Sequence, residues 1–143
     1  MEIKFIIDAV PMGKERPRMA RQGGFVRTYT PEKTSKYQAM VRKIFLAEHP
    51  DAAEGNTVCG DQPISMEIIS YFPIPKGWSK KKHQQAVHDE IRPTVKPDFD
   101  NLAKIVADSL NGLAYDDDKQ IVDAIQHKHY SEWPHSEVII RTL

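Results

Sequence analysis

The chain has 143 residues, 40% hydrophobic and 28% charged, with a formal net charge of zero, which is the make-up of one soluble globular domain rather than a disordered chain. No apolar run reaches the roughly 20 residues needed to span a bilayer, and Met1-Glu2-Ile3-Lys4 lacks the basic head and apolar stretch of a secretory signal. The one cysteine, Cys59, excludes an intramolecular disulfide framework and any multi-cysteine zinc site, so the expected compartment is the cytoplasm and no membrane partner is expected.

Ile3, Phe5, Ile7 and Ala9 alternate along a first strand, which Val10-Pro11-Met12-Gly13 ends. Residues 18–28 read as a hairpin around Gly23-Gly24, a two-residue turn signal. Thr30-Pro31-Glu32 reads as a helix start with Thr30 as N-cap, Pro31 at the first helical position and an acid in the first turn. Tyr37, Met40, Val41, Ile44 and Phe45 recur at helical spacing and carry this helix to about His49, where Pro50 stops it. Residues 51–62 are a polar surface loop. Ile64, Met66 and Ile68 open a strand that runs to Phe72 and breaks at Pro73 and Pro75. Trp78-Ser79 and Lys80-Lys81-Lys82 open a basic helix to about Glu90, and Pro93 and Pro97 keep residues 91–97 extended. Leu102, Ile105, Val106 and Leu110 stripe a third helix over about 100–111, closed by Gly112. Residues 120–130 and 136–142 are two final strands. This order predicts a single α/β domain, a mixed β-sheet with helices packed on it.

The charge is unevenly spread. Residues 1–48 carry ten Lys or Arg against five Asp or Glu, and the remainder carries ten against fifteen. A basic half and an acidic half suit a polyanion that must also meet a metal site, although uneven charge alone is common.

The chemistry concentrates in Lys96-Pro97-Asp98-Phe99-Asp100-Asn101-Leu102-Ala103-Lys104, followed by Asp108 and Asp116-Asp117-Asp118. If the extended segment after Pro97 continues through Asp100, the Asp98 and Asp100 side chains point to one side, about 6–7 Å apart. Two carboxylates at that spacing reach one hard divalent cation, and magnesium needs only two or three because it keeps several waters. Asp100, Lys104 and Asp108 lie four apart on one helix face, opposite the apolar stripe. Lys104 is then one turn from Asp100, placed to offset charge on a scissile phosphate or its leaving group. The simpler reading makes Asp98 or Asp100 a helix cap and the Asp100–Lys104 pair a surface ion pair. A cap accounts for one aspartate and leaves the other without a role. Asp116-Asp117-Asp118 reads equally as a solvated turn, whereas a bound cation would make convergence of the acids favourable.

Other chemistries find little support. Ser and His occur without a nucleophile elbow. His127, His129 and His135 are a polar strand face more readily than a zinc site. There is no phosphate-cradling Gly-rich loop, so no nucleotide cofactor is expected. Trp78 and Trp133 read as core or rim anchors.

These residues resemble the RusA family of Holliday junction resolvases of bacteria and their phages. The resemblance spans most of the chain. It rests on Gly13-Lys14-Glu15-Arg16-Pro17-Arg18, Tyr29-Thr30-Pro31, the central Pro97-Asp98-Phe99-Asp100-Asn101-Leu102-Ala103-Lys104, and then Asp108, Gly112, Asp117-Asp118 and Gln120-Ile121. It implies a homodimeric α/β nuclease that nicks four-way DNA junctions symmetrically, using magnesium, with manganese as a substitute. The positions matching the family's metal-binding acids are Asp98, Asp100 and Asp118. Lys104 matches its functional lysine and Asp117 its neighbouring acid. Asp116 adds a third consecutive acid beside that pair. The expected products carry a 5′-phosphate and a 3′-hydroxyl. Lys14, Arg16, Arg18, Arg27 and Lys80-Lys81-Lys82 are the expected phosphate grips, salt-sensitive and sequence-blind. Two other classes stay open on residue chemistry: a branched-DNA-binding protein without nuclease activity, and a metal-dependent nuclease for RNA or flap substrates.

Overall fold

The computed structural model describes residues 1–143 and every side chain but that of residue 22. Alternate residues of the first strand, β1 (Glu2–Ile7), are buried, which puts Ile3, Phe5 and Ile7 on one face. The same period runs through β4 (Ile64–Pro73), where Ile64, Met66, Ile68, Ser70 and Phe72 are buried. With β5 (Ile121–Ser131) and β6 (His135–Thr142) these strands make a four-stranded sheet in the order β1-β6-β4-β5. β6 runs antiparallel to both β1 and β4, and β4 and β5 are parallel, so the sheet is mixed.

Helix α1 (Glu32–Glu48) buries Tyr37, Val41 and Phe45, and α3 (Phe99–Ser109) buries Leu102, Ile105 and Val106. Except for Leu102, these residues form one core with Ile3, Phe5, Ile64, Ile68, Val138 and Ile140. Phe5 and Phe45 meet edge to face at 5.7 Å, and truncating a buried ring of this kind costs about 3–5 kcal/mol. Burial pushes the Tyr37 phenol up to about 12, against the lowering effect of a hydrogen bond with Ser136. Helix α2 (Lys80–Val87) is capped by the Ser79 hydroxyl, which accepts the Lys82 N–H. It roofs a second cluster of Phe72, Ala86, Leu102 and Tyr130, against which Trp78 packs.

The hairpin stands apart. β2 (Arg18–Gln22) pairs with β3 (Phe25–Tyr29) in a separate two-stranded sheet, and every residue of β3 is exposed. Gly23, with a φ of 61°, supplies the left-handed conformation its turn needs.

Element order and class match the expectation, and four local details do not. Pro50–Glu54 form a short 3-10 turn and Ala52 and Cys59 are buried, so residues 51–62 are not simply a surface loop. Pro31, with ψ at 143°, occupies the cap of α1, so Thr30 is not the cap and no side chain caps this helix. Proline fixes φ but lacks an N–H, and it ends the extended segment as readily as it starts a helix. The second helix ends at Val87 rather than near Glu90. The third begins at Phe99 and ends at Ser109, so Gly112, with a φ of 76°, lies in the following turn.

Candidate active site

Helix α3 sets the site. Asp98 is its N-cap residue, extended at φ −68° and ψ 156°, and Asp100 already lies in the first turn. This corrects the expectation that both aspartates share one extended run. The backbone turns helical between them because Asp98 takes the cap position, which favours a short polar residue with extended dihedrals. The Asp98 side chain makes no cap hydrogen bond, so its oxygens are not committed to the helix end. At the other end, Arg42 of α1 donates from Nη1 to the carbonyls of Ser109 at 3.0 Å and Asn111 at 3.3 Å. A guanidinium there satisfies carbonyls the helix leaves open and opposes its negative end.

The second acidic segment is held from below. Tyr115, fully buried, donates its hydroxyl to the Ala107 carbonyl at 2.6 Å. The Cys59 N–H donates to the Ala114 carbonyl at 2.8 Å, and the Asp116 N–H to the Gly60 carbonyl at 3.2 Å. Gln120 Oε1 accepts the Asp117 backbone N–H at 2.8 Å. The turn 113–120 is thereby clamped between α3 and the segment 57–62. Asp116 accepts from the Thr57 hydroxyl at 2.5 Å.

Asp100, Lys104 and Asp118 line one cavity of about 370 Å³, whose wall is Met66, Ile68, Phe99, Ala103 and Ile125 among others. Asp98 lies around the helix start. It shares one groove with Phe99, Asp100 and Lys128, and a second with Lys14, Lys33, Lys96 and Asn101. Lys104 does not pair with Asp100 as its spacing suggested. Its Nζ lies 3.5 Å from Asp108 Oδ1, one turn further along. Asp108 also takes Lys14, whose Nζ is 3.4 Å from Oδ2.

Asp108 and Asp117 each lie beside Asp118. Burial pushes the Asp118 carboxyl above the usual carboxylate range, and the neighbouring carboxyls of Asp108 and Asp117 push it further. The Tyr115 phenol is raised by burial first and then by the charges of Asp118, Asp108 and Asp117. Like charges gathered at low exposure favour any cation that enters.

In donor chemistry the aspartates suit a hard divalent ion, which takes oxygen ligands. In placement they divide: Asp100 and Asp118 share the cavity, and Asp98 adjoins Asp100 at its edge. Among the described residues, no three His, Cys, Asp or Glu side chains stand together as a preformed metal site.

The basic residues also divide. Arg16, Arg18 and Arg27 are exposed on the hairpin and the segment before it. Lys14 is drawn against α3 and is 19% exposed. Lys80, Lys81 and Lys82 are exposed on α2, with Lys82 Nζ 4.1 Å from the Trp78 ring. The three histidines each meet a different carboxylate: His127 meets Glu67 at 3.1 Å, His129 meets Asp89 at 2.7 Å and His135 meets Glu137 at 3.6 Å. Trp133, 49% exposed, stacks on His135 at 3.7 Å. This is a paired, stacked strand face. Residue type and spacing assign no role to Asp108 or Gln120. Their roles depend on contacts with Lys14 and with residues 60–62, and no local pattern announces those.

Residues 8–141 match the family model described as Endodeoxyribonuclease RusA. An uncharacterized protein of Bacillus subtilis strain 168, YqaN, is 39% identical to this chain over 143 residues, an alignment that covers 99% of this chain and 96% of the relative.

Proposed function

The chain belongs to the RusA family of endodeoxyribonucleases, and on that basis we propose that it resolves four-way DNA junctions by paired, symmetric nicks. The observation that supports this reading is the shared cavity of Asp100, Lys104 and Asp118, together with a groove at the start of the same helix that carries Lys14, Lys33, Lys96 and Asp98. A phosphodiester laid along the basic groove reaches the acids at the start of α3.

Asp98, Asp100 and Asp118 would hold a magnesium ion, or manganese in its place. When bound, such an ion neutralises phosphate charge and makes a coordinated water more acidic. Water adds at phosphorus, the P–O3′ bond breaks and the 3′ oxygen leaves with a proton, giving 5′-phosphate and 3′-hydroxyl ends. Lys104, 60% exposed at the cavity, meets a non-bridging oxygen and opposes the charge that builds on it. Asp117, clamped through its backbone to Gln120, keeps its neighbour Asp118 in place. Arg16, Arg18 and Arg27 grip flanking phosphates without reading bases. Two nicks on opposed strands need two such sites, so the working unit is a homodimer, acting on DNA in the cytoplasm.

The deciding experiment is strand-by-strand cleavage of a synthetic four-way junction with magnesium and with EDTA, beside Asp100→Asn. Paired nicks that need both the metal and Asp100 support the reading. Binding without cleavage would instead make this a branched-DNA-binding protein. Equal cutting of flaps or RNA would make it a nuclease of broader substrate.

A further inference from the structure

Lys14 sits in the basic motif of the N-terminal segment, but it does not sit with the exposed arginines of that motif. Its backbone N–H donates to the Asn101 carbonyl at 2.9 Å. The residue before it, Gly13, lies so close to α3 that a Cβ there would fall 2.6 Å from Pro97 Cβ and 3.2 Å from Asn101 Cβ. From this anchor the side chain runs along the helix to Asp108, with Nζ 3.4 Å from Oδ2 and both side chains under 20% exposed. Lys104 reaches the other oxygen of the same carboxylate at 3.5 Å. Lys14 also lines the groove that holds Asp98.

A lysine used only to grip a phosphate backbone gains nothing from being covered. Desolvating an ammonium is costly, and a surface lysine keeps its head in water. Arg18 of the same motif follows that rule at 66% exposure. Lys14 is instead fixed at backbone and ammonium, in the groove that it shares with Asp98.

We propose that Lys14 is a second lysine of the catalytic site, touching the scissile phosphate together with Lys104, and that Asp108 is the positioning residue that holds the two ammoniums as a pair. This rests on the junction-cleaving reading above. Asp108 offers one oxygen to each lysine, so neither turns toward the acids lining the cavity. A phosphate entering beside Asp100 and Asp118 meets two preplaced cations, and charge on its oxygens is opposed without reorganisation.

The test is single-turnover cleavage of a synthetic four-way junction at saturating protein, with dissociation constants measured in magnesium on the Asp100→Asn background. Lys14→Met is expected to lower the saturated rate by about 100-fold, the scale for losing one preorganised donor, while binding changes only a few-fold. Lys14→Arg, which keeps the charge, recovers part of that loss. Asp108→Asn also lowers the saturated rate, and adding Lys14→Met to it costs much less than Lys14→Met costs alone, because the two act as one unit. Thermal melts of each variant confirm folding. A Lys14→Met enzyme with weakened binding and the wild-type saturated rate would overturn the proposal and leave the nuclease reading standing. Fully additive losses would remove Asp108 from it. A wild-type protein that binds the junction and never cuts it would take down the nuclease reading and this proposal with it.

Discussion

Gln120 and Asp117 are locked to each other at 2.8 Å, Gln120 Oε1 accepting the Asp117 backbone N–H, while Gln120 Nε2 donates to the Gly60 and Gln62 carbonyls at 2.8 Å each. One buried amide therefore ties the acidic turn to the segment leading into β4. Replacing it with Leu leaves the Gln62 carbonyl and the Asp117 N–H without partners and the Gly60 carbonyl with the Asp116 N–H alone, at a cost of about 1–3 kcal/mol. Urea unfolding of Gln120→Leu is expected to show a lower midpoint with an unchanged slope. Junction cleavage should fall with it, because Asp118 loses its support. A variant as stable as wild type would show that water replaces the amide.

Asp118→Asn separates stability from activity. The folded Asp118 carboxyl titrates above its ordinary range, so the folded state binds that proton more tightly than the unfolded chain does. Its stabilising contribution is complete below the ordinary carboxylate pKa and is lost as pH rises through the raised value. In metal-free buffer at neutral pH, Asp118→Asn is expected to raise Tm by about 2–4 °C, and with magnesium added it is expected to abolish cleavage. Wild-type Tm should approach that of the variant as pH is lowered into the carboxylate range. An Asn variant that melts below wild type at neutral pH would mean that the charge is not repelled there.

Arg18 and Arg27 sit on an exposed hairpin that forms its own two-stranded sheet. Removing either should weaken junction binding about equally across sequences and reduce the slope of log affinity against log salt by about 1. Titrations at several salt concentrations measure both. An unchanged slope would place the DNA path elsewhere, with Lys80 to Lys82 as the next candidates.

Gly13→Ala probes the approach of the N-terminal segment to α3. The added methyl meets Pro97 Cβ at 2.6 Å, closer than carbon atoms pack, so one segment must move. Overpacking of this kind typically costs about 1–3 kcal/mol. Denaturant unfolding reads that cost, and an unaltered midpoint would mean that the segment lifts off freely.

The strands and the apolar helix faces were legible because burial imposes a period: Ile3, Phe5 and Ile7 on β1, and Leu102, Ile105 and Val106 on α3. Helix starts were harder. Thr30 and Pro31 both suit the beginning of α1, and the backbone between Asp98 and Asp100 could not be assigned from an extended segment that simply ends in a cap. Asp98, Asp100, Lys104 and the Asp117-Asp118 pair stood out as candidates on residue type and spacing. The partner of Lys104 did not, since both Asp100 and Asp108 lie four residues away and only the folded geometry selects Asp108. Lys14 was read by its motif as a DNA grip, because its contact with Asp108 crosses most of the chain.

The strand order has a consequence for how this protein is made. β6, the last of the six strands in sequence order, lies between β1 and β4. A nascent chain with only residues 1–134 clear of the ribosome has a first strand with no neighbour to pair with and a β4–β5 pair whose β4 edge is unfilled. The sheet closes only when the final strand arrives and pairs on both sides, a long-range step that pays its loop entropy late. The sheet behind Met66 and Ile68 of β4 is therefore completed only after residues 135–142 are free to pair, and a nascent chain short of that point carries its acidic residues without an assembled site around them.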